Sequence, residues 1–364
     1  MSLEPESLVR ATDLAHGWGY TRKPFGMVMA GSRHEGEVAL NYSKSPRFYV
    51  VIDDSLIVRD LSERWQRVEG TPSKLKVKYF EDKPGRGTEA EITVTEHLSI
   101  FRYSFPEYDQ QARLVADYRP NLFGDTVNGS KTIQRIDAHT WKISNHLGGE
   151  ADVTVYQIVK FSKEFNAWGT FEIVDGSPVT NPGADSISGE EVGFYVEYTS
   201  DSAVEVVVAH SFKGFERAES YLSEYDGDFD AAVEALRQSW NEVLRLIEIE
   251  ACEAVKRTFY THLFTIFLNL GCYVDESPSL DSIYRNVMDV GSGPFWSRFN
   301  GYTSCWWDQS RAVYPLLALL KPDVMAHILN TMLADYQRRG YLSSEMDIVA
   351  GRDWFYWNVG QFTA

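Results

Sequence analysis

From about residue 26 to residue 212 the apolar positions of the chain recur with a period near two. "EITVTEHLSIFRYSF" (91–105) and "AVEVVVAHSF" (203–212) alternate polar with apolar residues, and "ADVTVYQIVKFSK" (151–163) is rich in β-branched and aromatic side chains. Such runs predict strands, because successive side chains of a strand point to opposite faces of its sheet. Turn material separates them: "EDKPGRGTE" (81–89), "VNGSK" (127–131), "HLGGE" (146–150) and "DGSPVTNPGADSISG" (175–189) concentrate Gly, Pro, Asn and Asp at the intervals of antiparallel strands. The architecture this predicts is a large antiparallel β-sandwich.

After residue 225 the period lengthens. In "DFDAAVEALRQSWNEVLRLIEIE" (228–250) Val233, Leu236, Trp240, Val243, Leu244 and Ile247 fall on one helical face. The preceding acids Asp226, Asp228 and Asp230 alternate as in a calcium loop. However, Ala231 stands where the loop's glycine belongs, and Arg237 where its bidentate acid belongs. A helix cap supplied by Asp228 or Asp230 accounts for the cluster without a metal. "EAVKRTFYTHLFTIFLNL" (253–270) and "SRAVYPLLALLKPD" (310–323) are apolar on most faces, as for helices buried between neighbours. "VMAHILNTMLADYQRRG" (324–340) closes on a basic turn and a glycine. The pattern divides the chain into a sandwich domain (1–225), a linker helix (226–250) and a helical domain (251–364). Three helices close no domain well, so the chain reads as the first part of a longer protein.

Composition narrows the partners. The formal charge of -17, from 52 acidic against 35 basic residues, repels phosphate backbones and anionic membranes, so no nucleic acid and no membrane is expected. No apolar run is long enough to span a bilayer, and "MSLEPESLVRATDLAHG" lacks a basic region followed by an apolar one, so the chain as written reads as cytoplasmic. The aromatics, 14% of the chain, suit a thick sandwich core first and stacking on sugar rings second. Cys252, Cys272 and Cys305 match no zinc spacing and read as buried thiols.

One stretch asks for more than packing. In "CWWDQSR" (305–311) Trp306 and Trp307 precede Asp308, and Arg311 follows three residues later. Asp308 as a helix cap with Arg311 as a local ion-pair partner is one reading. It leaves the two indoles unexplained. A sugar offers them an apolar C–H face, and its vicinal hydroxyls offer a carboxylate two charge-assisted hydrogen bonds. Both readings stay open at this point.

These residues belong to a wider resemblance, to family 92 of the glycoside hydrolases, which are calcium-dependent exo-acting α-mannosidases. "KPFGMV" (23–28) is similar to the family's P-F-G-M-V opening, "EITVTEHLSIFRYSFP" (91–106) to its E-L-T-x-T strand pair ending in R-Y-x-F-P, and "FSKEFNAWGTF" (161–171) to its F-S-x-P-F-x-x-x-G-T segment. "YTSCWWDQSRAVYPLLALLKPD" (302–323) resembles the S-x-W-D-T-x-R-x-x-x-P-L-L-T-L-x-x-P run, with Trp307, Asp308 and Arg311 on the W-D-x-x-R positions. The resemblance implies a β-sandwich packed on an (α/α)6 barrel with the pocket between them, of which this chain holds the sandwich and the first barrel helices. It implies calcium, with no ligand identified here, and mannose-containing glycans as substrates. It also implies that Asp308, with Trp307 beside it, holds hydroxyls of the terminal mannose.

The sequence departs from the family in three places. The family's G-F-S-H-x-H-L-S-G segment has no counterpart after "PFGMVMAGSRHEGEVALNYS", where His34 is the nearest candidate pocket residue. "GRDWFYWNVGQ" replaces the G-x-E-T-x-x-M-V-G-D run, with Asp353 in place of the glutamate. The general-acid E-G-N-x-W-x-Y and base G-N-D-D motifs do not occur among the 364 residues. Inverting hydrolysis needs two carboxyls about 6.5–9.5 Å apart. No pair of Asp308, Glu345, Asp347 and Asp353 recommends itself for the two roles, so the chain by itself is expected to be inactive. The alternatives are a related sandwich-plus-barrel hydrolase or phosphorylase acting on glucosides, and a sugar-binding module without activity.

Overall fold

A computed structural model describes residues 47–51, 65–79, 87–95, 98–105, 112–118, 130–147, 153–198, 203–211, 214–268 and 312–329, the last without 324, 327 and 328. Two antiparallel sheets dominate it. The smaller has the order β1 (Arg47–Val51), β6 (Ala112–Asp117), β13 (Val192–Tyr198), β10 (Ala167–Val174) and β11 (Ser177–Pro182). The larger runs β12 (Ser186–Gly189), β7 (Lys131–Arg135), β8 (Thr140–Leu147), β9 (Val153–Phe161), β14 (Ala203–Ser211), β5 (Leu98–Ser104), β4 (Glu89–Val94), β3 (Leu75–Tyr79) and β2 (Trp65–Gly70).

Alternation explains how the sheets meet. In β3, Leu75, Val77 and Tyr79 are buried while Lys76 and Lys78 are not. One apolar cluster joins such inward residues of the large sheet to Leu114, Ala116, Phe194 and Val196 of the small one. Trp141 of β8 stacks on Phe194 of β13 across the gap, with ring centroids 4.3 Å apart. The chain is therefore an antiparallel β-sandwich followed by helices, as its change of period predicts.

Helices follow Ser211: α1 (Phe215–Tyr221), a 3-10 turn (Leu222–Glu224), α2 (Phe229–Leu244), α3 (Glu253–Leu268) and α4 (Val313–Leu320). The outer face of the large sheet presents Leu98, Ile100, Ile158, Val207 and Ala209. Ala218 and Tyr221 of α1 and Phe229 of α2 cover it in a second cluster. Further along α2, Leu236, Trp240 and Val243 belong to the main core instead, together with Leu263, Phe264 and Phe267 of α3 and Tyr314 and Leu317 of α4.

Several expectations are corrected. The stretch 175–189 is not turn throughout: Asp175 (φ 49°) and Gly176 (φ 76°) form a two-residue hairpin turn, and β11 and β12 follow. β11 is an exposed edge strand, where Pro178 and Pro182 are tolerated because only one side of the strand is paired. In "HLGGE" the strand continues to Leu147. α1 is a helix within the 1–225 stretch assigned to the sandwich, and with only seven residues it carries too short an apolar stripe to show a helical period. Cys252 is exposed rather than buried, because it lies in the turn before α3 with its carbonyl accepting from the Lys256 amide. Nor are the later helices buried on most faces, since Val255 of α3 is 52% and Leu319 of α4 78% exposed.

Candidate functional site

The run that carries the W-D-x-x-R residues leads into α4, which begins at Val313, two residues after Arg311. Ala312 occupies its N-cap and no side chain caps it. The helix start expected at Asp308–Ser310 therefore lies further on, and the residue capping α4 is not Asp308. Pro315 falls in the first turn, where its missing N–H costs no intrahelical bond. A helix of eight residues is not stable alone. Packing holds it: Tyr314 and Leu317, three apart and so on one face, are buried in the main core, the cluster to which Trp240 and Phe264 also belong. The proposed site residues Trp306, Trp307, Asp308, Arg311, Asp353 and His34 lie outside the described residues, as do Glu345, Asp347, Cys272 and Cys305. The structure thus fixes the ground on which the motif's C-terminal end stands.

The acidic cluster before α2 is the helix-cap arrangement expected in place of a calcium loop. Asp226 accepts the Asp228 amide at 3.1 Å. Asp228 caps α2 by accepting the Ala231 amide at 2.9 Å. Asp230 turns the other way, its two oxygens each 3.2 Å from the Arg102 guanidinium. The three carboxylates have separate protein partners, and among the described residues no three His, Cys, Asp or Glu side chains form a set that could hold a metal ion.

The same segment is bound to the back of the large sheet. Lys142 pairs with Glu219 at 3.4 Å, Thr95 donates to Glu224 at 2.6 Å, and Tyr225 donates to Glu205 at 2.6 Å. Arg102 reaches Glu91 as well as Asp230 and lies 4.2 Å from the Phe229 ring centroid. Its hydrogen bond holds the Asp230 carboxyl below its ordinary value. Burial, with the Glu205 hydrogen bond next, raises the Tyr225 phenol. Arg102 sits in the strand that the R-Y-x-F-P resemblance covers, but nothing in its spacing announces a partner 128 residues away.

A second grouping that the sequence does not announce joins the sheet edges. Trp168 of β10 donates its indole N–H to Asp185 at 2.9 Å, and Arg135 of β7 donates to the same oxygen at 2.6 Å. The Arg135 guanidinium lies over the Trp168 ring at 4.1 Å, and Phe165 meets that ring edge-on at 5.7 Å. With one face under the guanidinium, this indole serves as a staple between the sheets. Arg135, by hydrogen bonding, holds the Asp185 carboxyl below its usual value.

Comparison with known proteins adds the family. The model of the glycosyl hydrolase family 92 N-terminal domain matches residues 49–211, and that of the family 92 catalytic domain matches residues 217–349. No curated protein sequence matches the chain. Among solved structures it is similar to a family GH92 inverting mannosidase from Bacteroides thetaiotaomicron, with a TM-score of 0.69 and 19% identity over 95% of this chain and 46% of that one. It is also similar to a family GH92 α-mannosidase from the same organism, with a TM-score of 0.65 and 21% identity over 81% of this chain and 41% of that one. The latter enzyme in complex with mannoimidazole gives a TM-score of 0.62 at 19% identity, over 92% and 41% of the two chains. The chain therefore spans less than half the length of these proteins, and at such identities the likeness speaks for the fold alone.

Proposed function

The chain belongs to glycosyl hydrolase family 92, and from that membership we propose that it forms the sandwich and first helices of an exo-acting, inverting α-mannosidase. Residues 1–225 are the sandwich domain, 226–250 the linker and 251–364 the start of an (α/α)6 barrel. In this reading Asp308 grips vicinal hydroxyls of the terminal mannose, Trp306 and Trp307 pack on its C–H face, and Arg311 braces the carboxylate. His34 and Asp353 are the further pocket candidates. What carries the reading is the joint match of both family models, in chain order, over a fold shared with two mannosidases.

The partner this implies is carbohydrate, and a mannosidase of the same fold has been solved with mannoimidazole. The proton-transferring carboxyls have no motif among residues 1–364, so these residues bind and orient the sugar and do not by themselves turn it over.

Asp308→Asn tests the reading. The substitution keeps shape and removes charge-assisted hydrogen bonds worth about 1.5–3 kcal/mol apiece, so affinity for methyl α-mannoside falls at least about tenfold while the melting temperature stays put. Unchanged binding sinks the sugar-binding role.

A further inference from the structure

The staple of Trp168, Asp185 and Arg135 at the sheet edges leaves hydrogen-bonding groups over. Arg135 bonds through Nε alone, and its two terminal nitrogens have no partner among the described residues. Asp185 accepts from Arg135 and from the Trp168 indole on the same oxygen, Oδ1, so Oδ2 accepts no bond from the described residues. Both side chains reach solvent, Asp185 at 57% and Arg135 at 20% exposure. Held over the indole at 4.1 Å and tied through Nε, the guanidinium is fixed before any ligand arrives, so little side-chain freedom is lost on binding. The adjoining turn is open. The Gly183 amide donates to the Trp168 carbonyl at 2.7 Å, and nothing lies within 4 Å of where a Gly183 side chain would begin.

Because Nε already holds one oxygen of the carboxylate at 2.6 Å, the free donors and the free acceptor stand side by side and carry no net charge. A hydroxyl both donates and accepts. A vicinal diol can therefore take a terminal N–H of Arg135 on one oxygen and donate to Oδ2 of Asp185 from the other. An anion would meet the Asp185 charge and the chain's formal -17, and a cation would meet the guanidinium. We propose that the sandwich edge at Arg135 and Asp185 is a carbohydrate-binding site of its own, which grips a vicinal diol of a neutral sugar. With the guanidinium over its indole, Trp168 does not stack on the sugar; it braces the guanidinium and shares its N–H with the carboxylate that the sugar engages. The inference does not rest on the sugar-binding reading of Asp308.

The test follows the Trp168 indole N–H by heteronuclear NMR while the full chain is titrated with methyl α-mannoside; the signal is identified by its loss in Trp168→Phe. The expected result is a saturating shift with half-saturation at about 1–10 mM, the weak range of a site that has hydrogen bonds and no stacking face. Arg135→Lys keeps the charge and loses the planar fork, and Asp185→Asn keeps an acceptor and loses its charge, so each is expected to weaken the response at least about fivefold. Should Arg135→Lys fail to fold, Asp185→Asn decides. Asp308→Asn is expected to leave the Trp168 response as it is in the parent, whatever it does to binding elsewhere. A signal that stays still, or drifts without saturating up to about 100 mM, overturns the site. Equal responses in the parent, Arg135→Lys and Asp185→Asn overturn it too, because the grouping is then a staple and nothing more. So does loss of the response in Asp308→Asn, since Trp168 would then report sugar bound at the other segment. A saturating shift with sodium sulfate and none with the sugar makes this an anion site and overturns the carbohydrate assignment.

Discussion

Two glycines show how little freedom single positions of the sandwich retain. On the outer face of the small sheet Gly193 of β13 lies opposite Phe171 of β10, and Gly169 of β10 lies opposite Tyr195 of β13. Each aromatic ring lies across the glycine facing it. A Cβ on Gly193 would run into the Phe171 ring and stand 2.5 Å from the Ala116 carbonyl oxygen, which is backbone and cannot swing away. Cross-strand aromatic–glycine pairs of this kind replace side-chain packing that glycine lacks and fix register. Overpacking such a site costs about 1–3 kcal/mol. Gly193→Ala is accordingly expected to lower the unfolding free energy measured by urea titration by an amount in the upper part of that range, and the midpoint with it. Gly183→Ala, with nothing near its Cβ, meets no such obstacle and suffers only from its φ of 72°. Equal midpoints for Gly193→Ala and the parent would show that the Phe171 ring moves aside freely. None of this is visible in "WGTFEIV" or "VGFYVEY", because a glycine's need for a facing ring depends on which strand pairs with which.

At the scale of elements, the sequence was legible wherever one face of an element is buried and the other is not. The alternation in β3, β4 and β5 and the stripe Leu236, Trp240, Val243 on α2 are direct imprints of that asymmetry. Of the two acids that could cap α2, Asp228 and Asp230, it is Asp228 that does. Where burial is nearly uniform the pattern is silent. β11 is exposed almost throughout and carries two prolines, so it reads as a turn. The candidate site is legible only as a motif, since the contacts that would make Asp308 a ligand come from distant parts of the chain.

The element that sequence could least anticipate is the attachment of α2 to the sheet through Arg102 and Asp230. Asp230 has a folded-state value below its ordinary one, with the Arg102 hydrogen bond as the first cause. A depressed carboxyl contributes stability that is complete above the unfolded carboxylate range and is lost as pH falls through the folded value. Below about pH 4, near where an unperturbed Asp titrates, the parent should therefore lose stability more steeply than Asp230→Asn. With its side chain 76% exposed, Asp230 interacts through screened solvent, so added salt should shrink the difference. Parallel acid profiles for the two proteins would show that the pair contributes nothing measurable.

For the whole molecule the question is whether sandwich and helices are separate bodies. Among the described residues no helix is long and apolar enough to cross a membrane, and Leu236, Trp240 and Val243 of α2 share the main core with Leu263, Phe264 and Phe267 of α3. Two features oppose independence. The back of the large sheet has Leu98, Ile100, Ile158, Val207 and Ala209 covered by α1 and the start of α2, so cutting the chain after Ser211 would bare them. The main core then runs without a break from Phe194 and Trp141 between the sheets to Trp240, Phe264 and Leu317 among the helices. A linker that merely connected two bodies would have a polar surface on both sides; α2 instead places Phe229 in one cluster and Trp240 in the other. Cooperative units follow continuous buried surface, so the sheet and helix signals of this chain are expected to melt together. Trp240 is the place to ask, because it is 1% exposed and lies at the junction. Trp240→Ala removes a side chain whose truncation in a core costs about 3–5 kcal/mol. In a single cooperative unit that loss shifts one calorimetric peak and moves the circular dichroism of strands and helices by the same number of degrees. Two peaks in the parent, with Trp240→Ala displacing only the helical one, would instead mean that the sandwich stands alone and that the shared core couples the parts too weakly to carry position from one to the other.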